Sequence, residues 1–83
     1  MTLRILYFAR LRERFGQAEE HLAFDGATVA DLLGMLRARG GAWAEELATG
    51  RNFRVAVNQE LATPDTRLAD CAEVAIFPPV TGG

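Results

Sequence analysis

Few residues in this 83-residue chain can do chemistry, and the strongest candidates stand at its end. The sequence closes on Phe77-Pro78-Pro79-Val80-Thr81-Gly82-Gly83. A diglycine has no Cβ atoms, so it threads a narrow cleft in an extended form. A carboxylate at its tip can be captured by a partner. Carboxylate is a poor electrophile, but activation as an acyl-adenylate gives it a good leaving group, and a nucleophile can then replace AMP. A chain used in this way is a group carrier whose reactive atom is the carbonyl carbon of Gly83. At average glycine usage, two terminal glycines arise by chance in roughly 0.5% of chains, so an inert end is the weaker account.

The remaining candidates are poorer. His21 is the one imidazole and sits in the alternating stretch Glu19-Glu20-His21-Leu22-Ala23-Phe24, which places it at a strand rim. Cys71 has no basic neighbour in sequence to lower its pKa and is expected to be a small apolar filler. Gly40-Gly41 follows a helical pattern and reads as a helix C-cap, not an anion site. No P-loop, dinucleotide fingerprint or Ser-His-Asp set can be assembled, and one histidine with one cysteine cannot build an ordinary zinc site. Stable cofactor binding and a self-contained catalytic pocket are therefore not expected.

The net charge of −2 comes from eleven acidic residues against nine basic ones, all arginine and scattered. That pattern argues against nucleic acid as a partner. No apolar run approaches the roughly 20 residues of a membrane span, and the first residues lack the features of a signal peptide. A single cysteine fits a reducing cytoplasm.

Elements that could carry such an end are legible. Leu3 to Ala9 reads as a strand with Leu3, Ile5 and Tyr7 on one face and Arg4, Leu6 and Phe8 on the other. Arg10 to Phe15 is a charged turn or short helix stopping at Gly16, and Ala18 to Phe24 is a second, antiparallel strand. Thr28 opens a helix as N-cap, with Asp31 placed to complete a capping box. Val29, Leu32, Leu33 and Leu36 make its apolar stripe, and Gly34 inside it costs roughly 1 kcal/mol relative to alanine. Ala42 to Leu47 adds a short helical turn anchored by Trp43. Phe53 to Val57 is a strand, Asn58-Gln59 a turn, and Thr63-Pro64-Asp65-Thr66 a type I turn. Glu73 to Phe77 is the last strand, stopped by Pro78-Pro79.

The pattern predicts an α+β domain, a small mixed sheet with one main helix on one face and the first and last strands parallel. The expected core is Leu3, Ile5, Leu32, Leu33, Leu36, Val55, Val74 and Ile76. Leu6, Phe8, Ala75 and Phe77 then point away from the helix. Either they form an exposed apolar patch, which on a small domain marks a partner site, or the 42–49 region folds over them.

With its strand–strand–helix–strand order and Gly-Gly end, the chain resembles the ubiquitin-like β-grasp sulfur carriers, and within them the small subunits of molybdopterin synthases. The residues that carry the resemblance are Leu6-Tyr7-Phe8-Ala9 with Arg12-Glu13, Val57-Asn58-Gln59 with Leu61, and Phe77 to Gly83. Asp70-Cys71-Ala72 departs from the Gly-Asp common at this turn in the family. The resemblance implies a β-grasp domain over residues 1–79 and a mobile tail over 80–83, with Pro78-Pro79 holding its base stiff. It further implies that an activating enzyme adenylates Gly83 with ATP and that a sulfur donor protein converts the adenylate to a thiocarboxylate. Val80, Thr81 and Gly82 would thread the cleft of a large catalytic subunit in a 2:2 heterotetramer. Sulfur would then pass to cyclic pyranopterin monophosphate to build a dithiolene. Phe8, Arg12, Leu61, Phe77 and Pro78 would form the docking surface. Catalytic residues would belong to the large subunit. A sulfur carrier for thiazole or tRNA thiolation, a ubiquitin-like protein modifier and a plain interaction module remain open beside this reading.

Overall fold

The structure, a computed structural model, describes residues 1–79. Strand β1 (Thr2–Tyr7) leads through helix α1 (Ala9–Phe15) into strand β2 (Glu19–Ala23), and the two strands pair antiparallel, Leu6 opposite Glu19. Gly16 ends α1 in the left-handed region at φ 74°, its N–H donating to the Arg12 carbonyl. Helix α2 (Val29–Arg37) begins in the expected capping box. The Asp31 N–H donates to Thr28 Oγ1, and the Asp31 carboxylate accepts from the Thr28 N–H at 3.0 Å and the Ala27 N–H at 2.9 Å. Two more amides of its first turn, on Val29 and Ala30, donate to the carbonyls of Thr66 and Pro64. The 63–66 turn thus docks on the start of α2 and satisfies donors a helix leaves open.

Helix α3 (Gly41–Glu46) follows after Gly40, and then come strands β3 (Arg54–Val57), β4 (Glu60–Leu61) and β5 (Glu73–Phe77). Asn58 and Gln59 both have positive φ, 50° and 70°, the two-residue turn whose twist suits a hairpin. The sheet order is β2-β1-β5-β3-β4, with β1 and β5 parallel at the centre and every other neighbour antiparallel. The expected α+β class and parallel central pair are both present.

Every residue of the expected core is buried, joined by Tyr7, Leu11, Phe24, Val29, Leu47, Leu68 and Ala72. Two expectations fail. Gly40-Gly41 does not cap α2, whose C-cap is Ala38; Gly40 is the N-cap of α3, and Gly41 is its first residue. Cys71 is exposed and sits at φ 66°, and the buried filler of that turn is Ala72. The chain reverses at Cys71, whose N–H donates to the Thr2 carbonyl, and this turn presents the next residue to the core instead. Helix α3 packs against α1 and α2, with Trp43 stacked on Phe15 at 3.8 Å and edge-on to buried Tyr7 at 5.3 Å. It therefore lies on the core side, and among the described residues no helix covers the outer sheet face. Among the described residues, no helix is long and apolar enough to cross a membrane.

Candidate functional site

Strand alternation decides what the outer face carries, and register decides how it is arranged. Leu6 faces Ala75 across β1–β5, Ala75 faces Ala56 across β5–β3, and Ala56 faces Leu61 across β3–β4. These four residues make one apolar row across four strands. A second row begins at Phe77, whose partner on β3 is Arg54. Phe8 is held beside β5 because its N–H donates to the Ile76 carbonyl at 3.3 Å. Phe8 is 45% exposed and Leu61 76% exposed, unusual for large apolar side chains, while Leu6 and Phe77 are half-buried. On the other side of the row the face turns polar: Arg4 bridges Glu19 on β2 and Glu73 on β5. The apolar part of the face thus lies toward the end of β5 that continues into the tail.

The structure brings Phe8, Leu61 and Phe77 onto this one face. Pro78 follows Phe77 directly, and Arg12 lies one helical turn beyond Phe8, its N–H donating to the Phe8 carbonyl at 3.4 Å. Val80, Thr81, Gly82 and Gly83, including the expected mobility of the tail, lie outside the described residues. His21 is exposed on edge strand β2, the rim position expected of it.

A buried carboxylate on the helical side of the sheet was not legible in the sequence. Glu46 at the end of α3 is 4% exposed, the one buried charged residue among those described. It accepts from Arg10 at 3.0 Å, Arg14 at 3.1 Å and Arg51 at 3.3 Å. Arg10 also donates to the Asn52 carbonyl. Burial pushes the Glu46 carboxyl up, but the Arg10 hydrogen bond and the charges of Arg51 and Arg10 outweigh it, so it titrates below the usual range. This clamp ties α1, α3 and the 47–53 loop together beside the residues that pair with the end of β5. Its arginines lie 36 and 32 residues before Glu46 and five after it, so no local pattern could reveal it.

A second polar cluster fastens β2 to the helices. The Tyr7 hydroxyl donates to Glu20 at 2.6 Å, Arg39 holds Glu20 through two hydrogen bonds, and the same guanidinium lies 4.4 Å over the Trp43 ring. Burial, then the Glu20 hydrogen bond, raises the Tyr7 phenol far above its ordinary value, so it serves as a neutral donor. The groove between α2, the 47–51 loop and β3, about 290 Å³, is lined by Val29, Leu33, Leu47 and Val55 with arginines at its edge. It has no histidine, cysteine or carboxylate among its lining residues. No group of metal-ligating residues is found among the described residues. The described residues thus offer an exposed apolar face and no constellation for catalysis.

The model of the ThiS family matches residues 5–83. The chain is 42% identical, over 98% of its length and 99% of the relative's, to the molybdopterin synthase sulfur carrier subunit of Escherichia coli (strain K12). It is 38% identical, with the same coverage, to the Haemophilus influenzae protein of that name. Among solved structures it resembles SAMP1, small archaeal modifier protein 1, from Haloferax volcanii. The TM-score is 0.81 at 30% identity, with all of both chains covered.

Proposed function

The chain belongs to the ThiS family, and on that premise we propose that it is the sulfur-carrier subunit of a molybdopterin synthase, on a ubiquitin-like β-grasp domain. The observation that carries this reading is full-length agreement with relatives of that name, in a family match that runs to Gly83. In the proposed cycle an activating enzyme transfers AMP from ATP to the Gly83 carboxylate and releases pyrophosphate. A persulfide sulfur from a donor protein displaces AMP, and a thiol cleaves the resulting S–S bond to leave the thiocarboxylate. The large subunit then accepts the tail in a 2:2 assembly, Val80, Thr81 and Gly82 lying in its cleft. Sulfur passes from Gly83 to cyclic pyranopterin monophosphate, and two such transfers complete the dithiolene. Phe8, Leu61, Phe77 and Pro78, with Arg12 at the rim, hold the two subunits together. The proposed place of work is the cytoplasm.

Intact mass after incubation with ATP, activating enzyme and sulfur donor tests the reading. The expected product has one carboxyl oxygen replaced by sulfur, and a chain extended by one residue after Gly83 gives no such product. An unchanged mass in the parent chain, with the same enzymes active on a known carrier, overturns it. The likeness to SAMP1 favours a second reading, a protein modifier, in which activated Gly83 acylates lysines of other proteins. This chain has no lysine and cannot form lysine-linked chains of itself. Covalent adducts with target proteins, in place of molybdopterin formation, would select that reading.

A further inference from the structure

The chain is acidic overall, yet its charge is segregated along the molecule. Over α1, α3 and the segment from α3 through Arg54, arginines 10, 12, 14, 51 and 54 stand against only Glu13, Glu45 and Glu46. The rest of the chain carries four arginines against eight carboxylates. The cationic part is the part that surrounds the end of β5: Phe8 is bonded to Ile76, and Arg54 is the partner of Phe77. Within it, Glu46 takes up Arg10, Arg14 and Arg51, and Glu45 takes a second bond from Arg14. Arg12 and Arg54 make no ion pair among the described residues. Both are exposed; Arg54 is the register partner of Phe77, and the Arg12 N–H donates to the Phe8 carbonyl.

We propose that Arg54 and Arg12 are the contact charges of a cationic collar around the tail root, and that the protein surface bordering the tail-receiving cleft is acidic. This rests on the docking reading above and names the chemistry of the partner's rim. The occupant is a protein surface with an apolar centre, because the collar is continuous with the row Leu6–Ala75–Ala56–Leu61 and the two phenylalanines. A uniformly charged polymer would leave that row wet. With the remainder of the chain negative, the collar turns the tail end toward such a partner during approach. Charged groups placed in this way act chiefly on the association rate, and salt screens them.

The test is the association rate of the full chain with the large subunit of its own synthase, measured across ionic strength. Arg54→Glu is compared with Arg67→Glu, which makes the same charge change at another exposed arginine that has no ion pair among the described residues, in the acidic part of the chain. Arg54→Glu is expected to slow association about 10-fold at low salt and to flatten its salt dependence, with Arg67→Glu within about twofold of the parent. Arg54→Gln, which loses the charge without reversing it, should fall between. Equal effects of Arg54→Glu and Arg67→Glu, or no effect of Arg54→Glu in a chain of parental thermal stability, overturn the collar. Phe77→Ala separates the two levels. If it abolishes binding while Arg54→Glu does nothing, the collar alone fails. If Phe77→Ala binds like the parent, the docking reading fails as well.

Discussion

The two faces of the sheet are built from the same strands, residue by residue in alternation, yet they have opposite fates. On the inner face Leu3, Ile5, Tyr7, Val55, Val74 and Ile76 are sealed beneath the α2 stripe. On the outer face Leu6, Ala75, Ala56, Leu61 and Phe77 carry comparable apolar character with none of the described helices over them, and Phe8 joins them half in water. Apolar area on the first face stabilises the fold. On the second, where Leu6 and Phe77 are only half-buried and Phe8 and Leu61 are exposed, it contributes less. Apolar content alone therefore does not mark a core. What separates the faces is where the chain can place its helices. Crossovers between parallel strands lie on one side, and with three helices all spent there the other side stays open.

The sharpest way to break this comparison is to cut one apolar side chain on each face. Ile76→Ala, fully buried, should cost roughly 2–5 kcal/mol and lower the midpoint of thermal or urea unfolding accordingly. In a domain of this size that is a large fraction of the whole stability. Its neighbour in sequence should behave in the opposite way. Phe77→Ala is expected to unfold at nearly the parental midpoint but to weaken partner binding by roughly 2 kcal/mol, read by calorimetry or biosensor. Comparable losses of stability from the two variants would show that the outer face is already closed in the free chain.

The next effect concerns acid. The Glu46 carboxyl titrates below its unfolded value, so its contribution to stability is full above the unfolded pKa and is lost as pH falls through the folded one. Glu46→Gln should reduce stability at neutral pH and flatten the decline expected of the parent in urea titrations as pH falls through and below the ordinary glutamate range. A parental slope in the variant would mean that the acid limb comes from other carboxylates, such as Asp31, whose amide hydrogen bonds also lower its pKa. The smallest effect lies at Gly34 in α2. A Cβ there meets only the Arg37 guanidinium, at 4.0 Å, so Gly34→Ala should stabilise by roughly 1 kcal/mol without touching the docking face. A destabilised variant would show that α2 uses the glycine for a closer approach.

How far the site was legible depended on the range of the interactions that make it. Phe8 and Phe77 could be placed on one face from alternation within β1 and β5 alone. Leu61 could not, because β4 has two residues and its facing depends on the Asn58–Gln59 turn and on pairing with Ala56. Arg54 falls on the outer face by alternation, but its place beside Phe77 is a matter of β3–β5 register. Cys71 was misjudged because a turn residue with positive φ is turned out of the core whatever its hydrophobicity.

The sequence by itself determined the elements and their faces. The periods of 2 and 3.6, the Thr28–Asp31 capping box, the Pro78-Pro79 stop and the Gly82-Gly83 end are local chemistry, carried within a few residues and independent of what lies across the molecule. Tertiary structure alone decided which faces meet and which charges converge. The uncovered row across four strands exists because three registers align. The Glu46 clamp exists because α1, α3 and the loop before β3 arrive at one point. Both depend on contacts between residues far apart in the chain, and those are set only when the whole sheet has closed under its helices.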